Sequence, residues 1–305
     1  MARETGAVLL SLIAAAMLGL GAPLAKYILN SVSPIALVFL ALLIALAISY
    51  PLSRTKGQLM RWSGFSRKEK YAMVELSTIG TVLPLVLILY GVTMTSAIET
   101  AFFIQLQSVF GILFGRVLLK ETMQKRRLMG VALVFLGSFM ILLNDLNSFR
   151  NQGQANGLLG DLLVVLGAIL LGFSYSLLKR LSSHMKPEHL VPYRSLLGLV
   201  VATPFFAFAM IFASSNSQSY RLVETMPVIA LYACTNFSIG WLAMQKALTE
   251  LPSWLVASLV QTMPFLGVLA SMILLGEGLT LMHVLGGLVT FVGGFVASYA
   301  FKNAS

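Results

Sequence analysis

Residues Leu251–Gly276 read LPSWLVASLVQTMPFLGVLASMILLG, 26 positions without one Asp, Glu, Lys, Arg or His. At a rise of about 1.5 Å per residue, a helix of this length crosses the roughly 30 Å hydrocarbon core of a bilayer. A transmembrane strand would alternate in polarity over about ten residues, and this run is continuous. Nine more uncharged runs precede or succeed it: Thr5–Ala25, Pro34–Ser53, Leu76–Ile98, Thr100–Gly115, Leu128–Asn144, Leu162–Leu178, Ser195–Gln218, Thr225–Gln245 and Val284–Phe301. The chain therefore reads as an all-α integral membrane protein with ten transmembrane helices. Composition agrees. Of 305 residues, 58% are hydrophobic and 10% charged, with a mean hydropathy of +0.88. Soluble domains carry about 25% charged residues, so this chain has too few to clothe a soluble surface.

The formal charge of +10 points to cytoplasmic loops rather than to nucleic acid. With the N-terminus inside, sixteen Lys and Arg fall on the cytoplasmic side and three, Lys26, Arg150 and Arg221, on the outer side. Arg116 and Arg194 lie near or within the fourth and seventh runs. This bias places both termini in the cytoplasm of a multi-pass protein of the inner membrane. The first run is read as a retained helix, since Gly21-Ala22-Pro23 is a poor cleavage context for a signal peptide. The largest polar gap, Arg54–Lys70, is too short for a domain. Cys234 is the only cysteine, and no Cys/His cluster for a metal and no cofactor motif is visible.

The chain also repeats itself. At an offset of 156, Gln105 falls on Gln261, Gly111 on Gly267, Glu121 on Glu277, Gly130 on Gly286 and Gly137 on Gly293. Nearer the N-terminus the offset is 153, with Gly19 on Gly172, Lys26 on Lys179 and Pro34 on Pro187. Each unit holds five spans, an odd number, so the second begins on the opposite side of the membrane. The expected organisation is two inverted five-helix repeats, 1–147 and 157–305, joined by a periplasmic linker at 148–156. Inverted repeats are an architecture of alternating-access carriers, with the substrate near the midplane between the halves.

The text from Thr249 through Gln261-Thr-Met-Pro264 to Leu274-Leu-Gly-Glu277, followed by Gly286-Gly-Leu-Val-Thr-Phe-Val-Gly-Gly294, resembles the last two helices of an EamA-type unit of the drug/metabolite transporter superfamily. Val117-Leu-Leu-Lys-Glu121 and Gly130…Gly137 repeat it in the first half, with Ser108 where the proline would be. The first run has Ala15-Ala-Met-Leu-Gly19 where many members show a tryptophan. The resemblance implies ten helices in two units. It also implies proton-linked or facilitated movement of amino acids, drugs, nucleotide-sugars or other metabolites, often outward.

Polar groups inside the runs are the candidate site. Trp254, Ser258, Gln261, Thr262 and Phe265 recur at helical spacing on one face, and Gln105 is the repeat partner of Gln261. An aromatic-flanked amide and hydroxyl stripe suits a small amphipathic solute. Interhelical glue is the other reading, and both hold equally for Asn236. Arg194 is either a snorkelling cation or the wall of a water-filled cavity, and Tyr175 stands at a similar depth. Glu99 is a proton-coupling or amine-binding carboxylate, or else a solvated residue of a first helical turn. Asp161 reads as a cap and His283 as a solvated terminus residue with a proton-sensing role as the alternative, while Glu121 and Glu277 read as turn and capping groups. The glycines at 130, 137, 286 and 293 suit close helix packing, including a homodimer face.

Three function classes remain. The leading one is a secondary transporter that exports small organic metabolites, with a uniporter or exchanger of nucleotide-like or phosphorylated solutes beside it. A channel or scaffold is the second class. An enzyme is the third, and it lacks a nucleophile–base or metal constellation, since His184, His189 and His283 are the only histidines. No Walker motif is present to supply ATP-driven transport.

Overall fold

The computed structural model describes residues 2–55, 62–119, 125–152, 155–182, 187–212, 217–251, 256 and 259–299. Among them there is no strand. Seven helices are long and apolar enough to cross a membrane: α1 (Thr5–Leu29), α2 (Pro34–Pro51), α3 (Arg67–Met94), α4 (Ala97–Leu118), α6 (Asn156–Leu178), α7 (Leu190–Ile211) and α8 (Val223–Met244). Three shorter apolar helices complete the order, α5 (Leu128–Leu143), α9 (Met263–Leu275) and α10 (Leu281–Ala297). Each corresponds to one of the ten uncharged runs. Large apolar side chains such as Val117, Ile211 and Ile273 are more than 70% exposed, as expected of faces that lipid covers.

The boundaries differ from the uncharged runs where capping overrides hydropathy. α3 begins nine residues before its run, at a capping box made by Ser66 and Glu69. The break between α3 and α4 falls at Thr95, which is extended, and Ser96 then caps α4 through its own capping box with Glu99. α9 starts at Met263 rather than Leu251. Pro264 lacks the N–H that a continuous helix would donate to the carbonyl four residues earlier, and the chain turns at Gln261–Thr262. The face expected from Trp254 to Phe265 is therefore interrupted. Phe265 packs edge-on against Phe291 of α10, and the Thr262 hydroxyl donates to the Leu259 carbonyl. Trp254 and Ser258 lie outside the described residues, as does Glu121.

Other spans are interrupted too. α1 turns at Leu20, and α4 turns at Ile104–Gln105 through three-residue hydrogen bonds. π-helical turns occupy Thr78–Val82 in α3 and Cys234–Ile239 in α8. The α4 and α9 turns contain the repeat partners Gln105 and Gln261, and the starts of the two π turns are 156 residues apart.

The main helix pairs are α5 with α10, α2 with α7, α3 with α6, α4 with α6, α1 with α8, and α1 with α9. Every pair joins one half of the chain to the other. Replacing each helix by its counterpart in the other half returns the same set of pairs. The α5–α10 contact is the closest because glycines face each other. A Cβ on Gly293 would lie 2.6 Å from the Val134 nitrogen, and one on Gly286 would lie 2.7 Å from the Gly137 carbonyl. The four glycines that suit a dimer face are thus taken up inside the chain.

Candidate functional site

The interrupted helices surround a cavity of about 470 Å³. Its wall comes from α1, α3, α4, α6, α8 and α9, with Arg194 added by α7. Five of the sequence candidates, Gln105, Tyr175, Arg194, Asn236 and Gln261, stand on this wall. Thr262, whose hydroxyl is spent on its own turn, does not. Three of the five belong to the interruptions: Gln105 and Gln261 sit at the turns of α4 and α9, and Asn236 lies in the π turn of α8. Breaking a helix in a bilayer leaves backbone groups unpaired, which is tolerated where protein or a water-filled cavity lines the break.

Their settings differ. The Asn236 amide nitrogen donates to the Tyr232 carbonyl and to Thr235 Oγ1, while its oxygen faces Gly21, at the interruption of α1. Gln261 is packed against Gly294 of α10, where a Cβ would come within 2.7 Å of its amide oxygen. Gln105 is 6% exposed, and its amide nitrogen has no hydrogen-bond partner among the described residues. The Tyr175 ring lies over Gly111 of α4.

Arg194 does not snorkel. Its Nε donates to Thr81 Oγ1 at 2.7 Å, in the π turn of α3, and its guanidinium lies 5.6 Å from the Trp241 ring centroid. The Thr81 hydroxyl in turn donates to the Leu76 carbonyl. A buried arginine costs roughly 2.5–3.5 kcal/mol on insertion scales. A hydrogen bond to a charged group is worth about 1.5–3 kcal/mol, and a desolvated cation–π contact about 2 kcal/mol. These two contacts are enough to hold the cation in place without neutralising it. Among the described residues no carboxylate pairs with it, and no Asp or Glu lines the cavity. Thr81 and Trp241 are missing from the sequence candidates. Nothing in the local pattern marks them, because their role depends on α3 and α8 meeting α7.

At the exposed end of the wall stands Arg116. The other end, past Thr100 and Val92, is shut by a buried polar cluster. Glu99 is 5% exposed and His283 4% exposed, with His283 Nε2 3.1 Å from Glu99 Oε1. Neither is solvated, which removes the solvated alternative for both, because α10 docks its first turn on that of α4. His283 Nδ1 accepts the Thr280 N–H, so the ring hydrogen sits on Nε2 and is donated to Glu99. Thr95 Oγ1 lies 2.6 Å from Glu99 Oε2 and 2.6 Å from Asp161 Oδ1. Asp161, read as a cap, is fully buried and lies inside α6 rather than at its start. Glu277 accepts the N–H groups of Ala97 and Ile98 at 2.8 and 2.9 Å. It is a cap, but for α4 rather than for its neighbouring helix. Gly276, at φ +68°, provides the left-handed turn that aims it there. Lys26 Nζ donates to the carbonyls of Val92 and Thr95 at the end of α3. The described residues contain no cluster of Cys, His, Asp or Glu able to hold a metal.

Comparison with known proteins adds to this geometry. A solved crystal structure superposes with a TM-score of 0.62 at 16% identity, over 98% of this chain and 99% of that one. The chain is 22% identical to the uncharacterized transporter YetK of Bacillus subtilis (strain 168), over 78% of this chain and 70% of that protein. It is 24% identical to a probable amino-acid metabolite efflux pump of Escherichia coli (strain K12), over 65% of this chain and 66% of the pump. An uncharacterized transporter of Methanothermobacter thermautotrophicus is 22% identical over 91% of this chain and 82% of its own length. The EamA-like transporter family model matches residues 5–143 and again 158–299. A bundle of apolar helices built around a central cavity, matched twice along its length by that model, is a multi-pass membrane protein that belongs to the EamA-like transporter family.

Proposed function

We propose that this protein is a secondary transporter that exports small organic metabolites, amino acids or similar amphipathic solutes, by alternating access. Two five-helix units, 1–147 and 157–305, rock about the central cavity, with both termini in the cytoplasm and the protein in the inner membrane. The observation that carries this reading is the cavity itself. It lies between helices exchanged by the repeat, is interrupted at repeat-related positions, and is shut at one end by contacts between the halves. Opening that end requires Glu277 to leave α4 and His283 to leave Glu99.

The same cluster supplies proton coupling. The Thr95 hydroxyl has one hydrogen and touches two carboxyl oxygens, so it donates to one and accepts from the other. Glu99 already accepts from His283 and from the N–H and hydroxyl of Ser96. A proton on Asp161, donated to Thr95, completes the row. The closed end thus holds a proton that opening releases, with Thr95 as its acceptor and Glu99 next in the row as the proton-coupling carboxylate.

Uptake by everted vesicles across a panel of metabolites, with and without an imposed pH gradient, tests the reading. Gradient-dependent accumulation of at least one solute is expected. Fluxes equal to those of vesicles without the protein, for every solute, would remove it.

A further inference from the structure

The central cavity offers hydrogen-bond donors for which the described residues supply no acceptor. Arg194 is fixed by Thr81 at Nε and by the Trp241 ring, and among the described residues no hydrogen bond engages its two terminal nitrogens. The Gln105 amide nitrogen, on a side chain 94% removed from solvent contact, is also without an acceptor. These two observations come from different helices, α7 and α4, and both call for an acceptor. Arg194 is the charged group at the interior of the wall, and no Asp or Glu among the described residues lines the cavity. Inside a low-dielectric wall the free donors of a cation attract an anion more strongly than they would in bulk water.

We infer that the cargo is an organic anion whose carboxylate docks on Arg194, its apolar body lying along the cavity, and that an ammonium group on the cargo is not read by any acidic side chain of the wall. Guanidinium presents its donors as a planar fork that matches the two oxygens of a carboxylate. With Nε held by Thr81, the terminal nitrogens form the edge left for that contact. Gln105 supplies a neutral donor to the same class of ligand. The wall elsewhere is largely aliphatic, with Leu85, Ile88, Leu89 and Val260 among its members, and this suits a hydrocarbon or aromatic body. The inference rests on the transport reading only for the word cargo, since the anion site is a property of the wall.

Binding can be read without flux. The chain has three tryptophans. With Trp62→Phe and Trp254→Phe, Trp241 remains as the reporter, stacked on Arg194. The probes are acetate, butyrate and 3-phenylpropionate, each beside its neutral amide and its amine analogue, with phenylalanine as the zwitterion. A saturable change in Trp241 emission is expected for a carboxylate of this set and not for its amide or amine, with phenylalanine binding no tighter than 3-phenylpropionate. Arg194→Gln should weaken that binding roughly ten- to hundredfold, the loss of one charge-assisted contact, and Arg194→Lys should restore part of it. Amides or amines binding as tightly as the carboxylates would overturn the proposal. So would Arg194→Gln binding with unchanged affinity, or no carboxylate producing a response. Carboxylate binding in a protein that moves no solute in vesicles would keep the anion site and discard the transport reading.

Discussion

Replacing Glu277 by alanine should open the shut end of the cavity. In the closed arrangement its carboxylate accepts two N–H groups, at 2.8 and 2.9 Å, from the first turn of α4. Hydrogen bonds to a charged group contribute about 1.5–3 kcal/mol each, and an anion at a helix N-terminus adds about 0.3–1 kcal/mol. When this end is open, water satisfies the same N–H groups, so the variant weakens only the closed state. Allowing for partial compensation by water in the variant, a net loss of about 3 kcal/mol is a fair central figure, and at 1.4 kcal/mol per decade it moves the closed–open equilibrium roughly a hundredfold. Thr100 is the reporter position, fully buried and on the cavity wall close to the shut end. Cys234 is the only native cysteine, so Cys234→Ser with Thr100→Cys gives a single thiol. A membrane-impermeant thiol reagent, applied to right-side-out and to inside-out vesicles, then reads which face exposes it. Glu277→Ala should raise the labelling rate from the right-side-out face by one to two decades, and Glu277→Gln, which keeps one acceptor, by less. An unchanged rate in both variants would refute the idea that Glu277 latches this end. A rise from the inside-out face would refute the assigned orientation.

The packing and the proton count give two further expected outcomes. Gly137→Ala should lower thermal stability, because the new Cβ would lie 2.6 Å from the Thr290 nitrogen. Overpacking of this kind costs about 1–3 kcal/mol, and a melting temperature equal to wild type in nanodiscs would contradict the α5–α10 contact. The protein has two aspartates, Asp145 and Asp161. In an Asp145→Asn background, infrared spectra should show a protonated carboxylic C=O band that shifts on carboxyl-13C labelling of aspartate. A band that shifts only with labelled glutamate would put the proton on Glu99 instead.

The ten helices are legible in the sequence because hydropathy is a local property and a bilayer demands about 20 apolar residues in a row. Gln105, Gln261, Asn236, Arg194 and Tyr175 are legible as polar groups near or within the runs, with cavity wall, interhelical glue or snorkelling left open, and all five line the cavity. Contact between the halves is not legible. Glu277 meets Ala97 across 180 positions, and His283 meets Glu99 across 184. Each looks like an ordinary loop or end residue when its own helix is read alone, so solvation is the natural expectation. Docking of α10 on α4 buries His283 and Glu99 and leaves Glu277 half-buried. Trp241 and Thr81 escape for the same reason, since each matters only through Arg194. The stripe from Trp254 to Phe265 misleads differently. Its spacing assumes an unbroken helix, and the turn at Gln261–Thr262 rotates the segment beyond it, sending Phe265 to Phe291.

That interruption shows where the site signal lies. In a bilayer a helix satisfies its own backbone, so a break is stable only where protein or water takes over the freed groups. The breaks of α1, α4, α8 and α9 all border the cavity through Gly21, Gln105, Asn236 and Gln261, and the π turn of α3 reaches it through the bond from Arg194 to Thr81. Two pairs of these interruptions stand 156 residues apart, at Gln105 and Gln261 and at Thr78 and Cys234. Their side chains are mostly different: Ser108 stands where Pro264 does, and Val82 where Ser238 does. The repeat therefore preserves the position of the break rather than the residue that causes it. A polar stripe at helical spacing marks interhelical glue as readily as a binding face. A break recurring at the repeat offset is the more selective mark, because lipid-facing segments cannot tolerate it.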